Sequence, residues 1–129
     1  MNKLGAICSV FLLFAVAMGA FAAHGLKAIL SDAQLTTIKT AVLYQFIHAI
    51  GGLVVVALAY LDAFKDVKNW LRRAAFSFIL GCVLFSGSLY GLVLTGLGWL
   101  GPITPIGGVA FIIGWGFLCV AFLRSHSVD

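Results

Sequence analysis

The sequence predicts an all-α membrane protein: a bundle of four transmembrane helices with the N and C termini in the cytoplasm. Three observations carry that reading. Of 129 residues, 63% are hydrophobic and 9% charged, whereas a soluble domain carries about 25% charged residues. The apolar residues fall into four long runs, each matching the ~20 residues that cross a hydrocarbon core. The eight basic side chains lie between the runs and divide unevenly.

The first span is read over 4–23, twenty residues without a charge. Lys3, this apolar stretch and Ala20-Phe21-Ala22 imitate a secretory signal with an A-x-A cleavage site. The run exceeds the usual 7–15-residue apolar region of such a signal, so a retained span is expected. After it, Ser31-Asp32-Ala33-Gln34 has the S-x-x-Q pattern of a capping box, in which serine and glutamine each satisfy a free amide of the helix start. The second span, 41–61, contains only His48 as an ionisable group. Trp70 beside Arg72 and Arg73 in the next connection suits an interfacial anchor. The third span covers 74–97 and the fourth 103–123, both uncharged. Pro105 falls in the first turn of the last helix, where a missing N–H costs nothing. The whole chain, 1–129, reads as a single four-span domain.

Lys3, Lys65, Lys68, Arg72, Arg73 and Arg124 gather at one end, and Lys27 and Lys39 at the other. Basic residues flank spans on the cytoplasmic side, so six against two places both termini and the 62–73 loop there. The net charge of +4 is therefore a topology signal, and no nucleic-acid partner is expected. Cys8, Cys82 and Cys119 all lie within spans, with neither an even-numbered framework nor a C-x-x-C. They read as small buried hydrophobes rather than a disulfide or zinc set. His126 belongs to a solvated tail.

Small residues recur at helical spacing. Ser77, Gly81, Leu84, Ser88, Gly91 and Thr95 form a seam in steps of four and three. Helices in lipid associate through such close-packed small residues and interhelical hydrogen bonds. Gly87 and Gly91 add a G-x-x-x-G pair, and Gly19, Gly51, Gly107 and Gly108 are further packing candidates. Ser86 and Tyr90 lie on roughly the opposite side of the third helix, one turn apart. On the second span, Thr37, Ala41, Tyr44, His48, Gly51 and Val55 repeat the seam, flanked by Gln45. An ionisable residue inside a span is by default a functional-site hypothesis, which singles out His48. Counted from the span ends, His48 falls near the level of Ser86, and Tyr44 near that of Tyr90.

The strings FSGSLYG at 85–91, TPIGG at 104–108 and GW at 114–115 resemble the DUF423 family. GAFAAHGLK at 19–27 and TAVLYQFIHA at 40–49 match the same pattern, in the same order over essentially the whole chain. Ala22-Ala23 departs from the glycine often found before the alanine there, without touching a functional position. The resemblance implies a small, four-span bacterial inner-membrane protein, distantly related to mitochondrial transmembrane protein 256, with no established activity. Its motif positions here are Gly19, His24, Gly25, Tyr44, His48, Ser86, Gly87, Ser88, Tyr90, Pro105, Gly107 and Gly108.

Four functions compete. A hydrolase would pair His48 with Ser86 or Ser88, but no acidic residue lies in any span to orient the imidazole. A metal or haem site would need His24 and His48, and no carboxylate or cysteine set completes it. Neither an enzyme nor a cofactor is therefore expected. A groove for a quinone or lipid could be lined by His48, Tyr44, Gln45, Ser86 and Tyr90, with His24 at its mouth. The favoured reading is a structural or accessory protein that stabilises the membrane or a membrane assembly. In it, His48 bonds Tyr90 or a serine, and the surface meets the lipid bilayer, a membrane-protein partner or a second copy.

Overall fold

A computed structural model describes residues 1–125, so His126 lies outside the described residues. The described residues form five α-helices: α1 (Asn2–Ala23), α2 (Asp32–Leu58), α3 (Lys68–Gly81), α4 (Gly87–Thr95) and α5 (Ile103–Arg124). A five-residue π-helical turn, Cys82–Ser86, joins α3 to α4 into one long rod. Short 3-10 turns precede α2, α3 and α5. Among the described residues, four helical stretches are long and apolar enough to cross a membrane: Asn2–Ala28, Asp32–Leu58, Asp62–Thr95 and Gly98–Arg124.

Local chemistry explains the ends of these elements. Ser31 Oγ accepts from the Gln34 amide, and Gln34 Oε1 accepts from the Ser31 amide, forming the expected capping box. The 27 residues of α2 extend about 40 Å, more than the ~30 Å hydrocarbon core. The excess is the polar start of the helix, Asp32 to Lys39. At the far end α2 stops at Leu58, three residues before the expected end of its span. There the Tyr60 hydroxyl donates to Asn2 Oδ1, tying the end of α2 to the start of α1. The third rod ends on Gly96, whose φ of 71° is the left-handed conformation that glycine adopts most readily.

The interior is small and layered. One apolar cluster, centred on Leu71, Ala74, Ala75, Phe78 and Phe111, fills the end where α1 starts and α5 finishes. A second, of Met18, Ala22, Ile38, Ala41 and Tyr90, fills the other. The outer surface is as apolar as the core: Leu13 is 70% exposed, Ile112 72% and Leu123 80%. An apolar surface of this extent suits lipid and not water. Hydroxyls on the outer faces turn back onto their own helices. Ser9, Thr40 and Thr95 each donate to the carbonyl four residues earlier, so no polar group need face the hydrocarbon unpaired.

Glycine is required where α5 meets the third rod. A Cβ on Gly107 would collide with the backbone of Leu84 and Phe85, inside the π turn. One on Gly81 would strike the Phe111 ring, and one on Gly114 would come within 2.7 Å of the Phe78 ring. Gly52 is equally tight against Cys8, in the contact of α1 with α2. A Cβ on Gly51 would lie 3.3 Å from the Phe78 ring, a tight fit that a small shift could relieve.

The other glycines singled out for packing are held less tightly. Gly87 is exposed and has only a carbonyl of its own turn at 4.0 Å, so its G-x-x-x-G pairing with Gly91 brings no helices together here. A Cβ on Gly91 would come within 2.8 Å of the flexible end of the Leu100 side chain. A Cβ on Gly19 would lie 3.6 Å from Val42 and one on Gly108 3.9 Å from Phe85, ordinary contacts that leave room for a methyl group. Gly81, Leu84 and Ser88 all face α5, so the seam runs on through the π turn and Gly87 lies off it.

Gly107→Ala should therefore lower the stability of the purified protein by about 1–3 kcal/mol, the usual range for overpacking. Gly87→Ala should leave it unchanged within about 0.5 kcal/mol. Thermal unfolding in one detergent, with both variants side by side, checks the pair.

Candidate functional site

The polar residues of the spans meet in one layer, and Gln45 is its centre. Its side chain is 1% exposed, on the face of α2 that packs against α1 and the third rod. Gln45 Nε2 donates to the Phe11 carbonyl of α1 at 2.7 Å, and Gln45 Oε1 accepts from the Tyr90 hydroxyl of α4 at 2.8 Å. One carboxamide thus links three helices with both ends satisfied. Ser86, fully buried, donates to the Ala41 carbonyl at 2.8 Å. The Cys82 thiol lies 4.0 Å from the Gln45 carbonyl, a weak contact one turn away.

A second link joins α4 to α5. Ser88 Oγ lies 2.9 Å from the Phe85 carbonyl and 2.6 Å from Thr104 Oγ1. A serine has one proton to give. With that proton on the Phe85 carbonyl, the Thr104 hydroxyl is the donor to Ser88. Ser86 and Tyr90 therefore face α2, while Ser88 faces α5.

His48 stands apart from these bonds. Nδ1 lies 2.7 Å from the Tyr44 carbonyl of its own helix, and a carbonyl only accepts, so Nδ1 carries a proton. Its ring lies flat against Phe111, with centroids 3.4 Å apart and planes at 10°. Phe78 and Trp115 complete the aromatic box at 5.7 and 5.9 Å. This corrects the expected partnership of His48 with Tyr90 or a serine. The depth estimate that suggested it was shifted: Cys82 faces Gln45 and Ser86 faces Ala41, which puts His48 at the level of Phe78. The short connection between α2 and α3 sets this antiparallel register, and counting from presumed membrane edges missed it. The hydrogen-bonded Ser–His pair on which a hydrolase would depend is not formed.

Tyr44 is also placed differently. It is 38% exposed and stacks on Phe85 at 4.5 Å, on the aromatic side and outside the Gln45 hydrogen-bond chain. His24 is the exposed C-cap of α1, at the end of the helix and separate from His48. Sequence reasoning gave Gln45 only a flanking place. Its signal was available: the small Ala41 and Ala49 one turn to either side let helices close around a long polar side chain that needs two partners.

Two grooves mark the ends of the molecule. One of about 950 Å³ lies beside Lys3, Lys68, Arg72 and Arg73, and one of about 370 Å³ beside Lys27, Asp32 and Lys39. Neither is lined by Gln45, His48, Ser86 or Tyr90.

With this geometry in view, the comparisons with known proteins are direct. Residues 18–108 match the family described as Protein of unknown function (DUF423). The chain belongs to the DUF423 family. Similar proteins include a UPF0382 membrane protein of Haemophilus influenzae, 41% identical over 98% of both chains. The UPF0382 membrane protein YwdK of Bacillus subtilis is 45% identical over 87% of this chain and 89% of its own. The UPF0382 inner membrane protein YgdD of Escherichia coli is 38% identical over 84% and 80%. No solved structure matches the chain. This DUF423 protein is thus an all-helical member of a family of membrane proteins, and its matched segment includes the Gln45–Tyr90 bridge, His48 and Thr104.

Proposed function

We propose that this DUF423 protein is a structural or accessory component of the bacterial inner membrane, acting through its helix surfaces rather than through catalysis. The observation that carries the reading is the use of its buried polar groups. Among the described residues, no buried side-chain nitrogen or oxygen lacks a partner. Gln45, Ser86, Ser88 and Tyr90 are committed to holding helices together. Chemistry or ligand recognition needs groups held ready for something else.

One observation favours a second reading, a small lipophilic ligand such as a quinone or lipid near His48. The ring commits Nδ1 to the backbone and leaves Nε2 as the nitrogen able to meet an incoming group. It sits beside the half-exposed Tyr44 and Trp115. Purified in mild detergent, the wild type should bring down a membrane-protein partner or a second copy. His48→Ala should lose stability by about 3 kcal/mol through its aromatic packing and release no small molecule. A stoichiometric quinone or lipid that disappears with His48→Ala would replace the structural reading with the ligand-binding one.

The placement of the ends is a separate part of the proposal. The helices bring Lys3, Lys68, Arg72 and Arg73 to one end of the bundle, with Arg124 stacked on Trp70 beside them. Such an excess marks the cytoplasmic side. A reporter active only in the periplasm, fused after the last residue, should stay silent, and activity there would invert the orientation.

A further inference from the structure

The large groove at the basic end has a composition that topology alone does not require. It opens over the outward face of α3, between the start of α1 and the last turns of α5. Lys3, Lys68, Arg72 and Arg73 line it, with no carboxylate in its walls. On each helix the charge lies toward the membrane boundary and an apolar side chain lies deeper: Lys3 before Leu4, Arg72 before Phe76, and Arg124 beyond Phe117. On α3 the order Lys68, Arg72, Phe76 runs in steps of four, so charge grades into hydrocarbon along one stripe. Aromatic rings hold two of the guanidinium groups in place. Arg73 lies 5.3 Å from the Trp70 ring centre and 6.0 Å from that of Phe117, and Arg124 lies 5.2 Å from Trp70. Stacking on rings fixes a guanidinium plane and leaves its N–H groups for an anion.

Two requirements meet here. Like charges gathered at a membrane boundary repel one another and call for an anion. Leu4, Phe76 and Phe117, directly below, call for hydrocarbon. A free phosphate ester satisfies only the first, and a zwitterionic lipid would press its own cation against four others. We propose that this groove binds an anionic phospholipid, its phosphate held by Lys3, Lys68, Arg72 and Arg73 and one acyl chain laid along Leu4, Phe76 and Phe117. Basic pockets between transmembrane helices recognise acidic headgroups in this way.

The test is retention of lipid by the full-length protein in mild detergent, read by native mass spectrometry with phosphatidylglycerol or phosphatidylcholine added. Phosphatidylglycerol should remain bound at one per chain, and phosphatidylcholine should not. Lys68→Gln with Arg72→Gln removes two exposed charges without touching the core, and should weaken retention about twenty-five-fold at roughly fivefold per cation. Lys27→Gln with Lys39→Gln, at the opposite end, should leave it unchanged. Leu4→Trp, which fills the apolar shelf but keeps every charge, should also release the lipid. Equal retention of the two lipids, or equal loss with either charge pair, would overturn the site. Displacement of phosphatidylglycerol by glycerol phosphate would show a headgroup-only anion site and overturn the lipid assignment.

Discussion

The Gln45 carboxamide is the constraint around which this membrane bundle closes. In lipid no water is present to satisfy a stray donor or acceptor, and an unpaired amide costs several kcal/mol. Gln45 must therefore find a carbonyl and a hydroxyl at once. The observed arrangement of α1, α2 and α4 supplies both the Phe11 carbonyl and the Tyr90 hydroxyl at bonding distance. Such bonds average about 0.6 kcal/mol in membranes, so the bridge is not the main source of cohesion. Its effect is selective: packing supplies the stability, and the carboxamide decides which packing.

The remaining irregularities follow from the same layer. The π turn at Cys82–Ser86 lies where Ser86 reaches the Ala41 carbonyl. It widens the rod and presents the backbone of Leu84 and Phe85 to α5, where Gly107 leaves the space for it. Just beyond, Ser88 meets Thr104. The widened turn, the glycine opposite it and the two serines form a single fitted contact that joins α2, the third rod and α5, while Gln45 brings in α1.

Four spans, the capping box, the close approach at Gly81 and Gly107, and the division of FSGSLYG into two faces could be read from residue type and spacing. These depend on local chemistry or on one helix at a time. The partners of His48 could not be read, because they depend on the register between α2 and α3, which a connecting turn sets. A shift of two turns replaced Ser86 with Phe78 beside the imidazole. The π turn was equally hidden: nothing in CVLFS departs from ordinary helical sequence, and its stabilising partner lies on α5. The basic residues suggested an orientation, but their gathering into a groove required three helices to be in place.

The molecule that emerges has its buried polar groups paired inside and an apolar surface suited to lipid outside, with charge concentrated at one boundary. Its account stands on the Gln45–Tyr90 bond being a true coupling and not a coincidence of packing. A double-mutant cycle of Gln45→Leu and Tyr90→Phe, followed by unfolding in a lipid bilayer mimic, measures this directly. The bond predicts a coupling energy of about 1 kcal/mol, inside the range for interhelical hydrogen bonds in membranes. Strictly additive losses, with no coupling between the two positions, would contradict it.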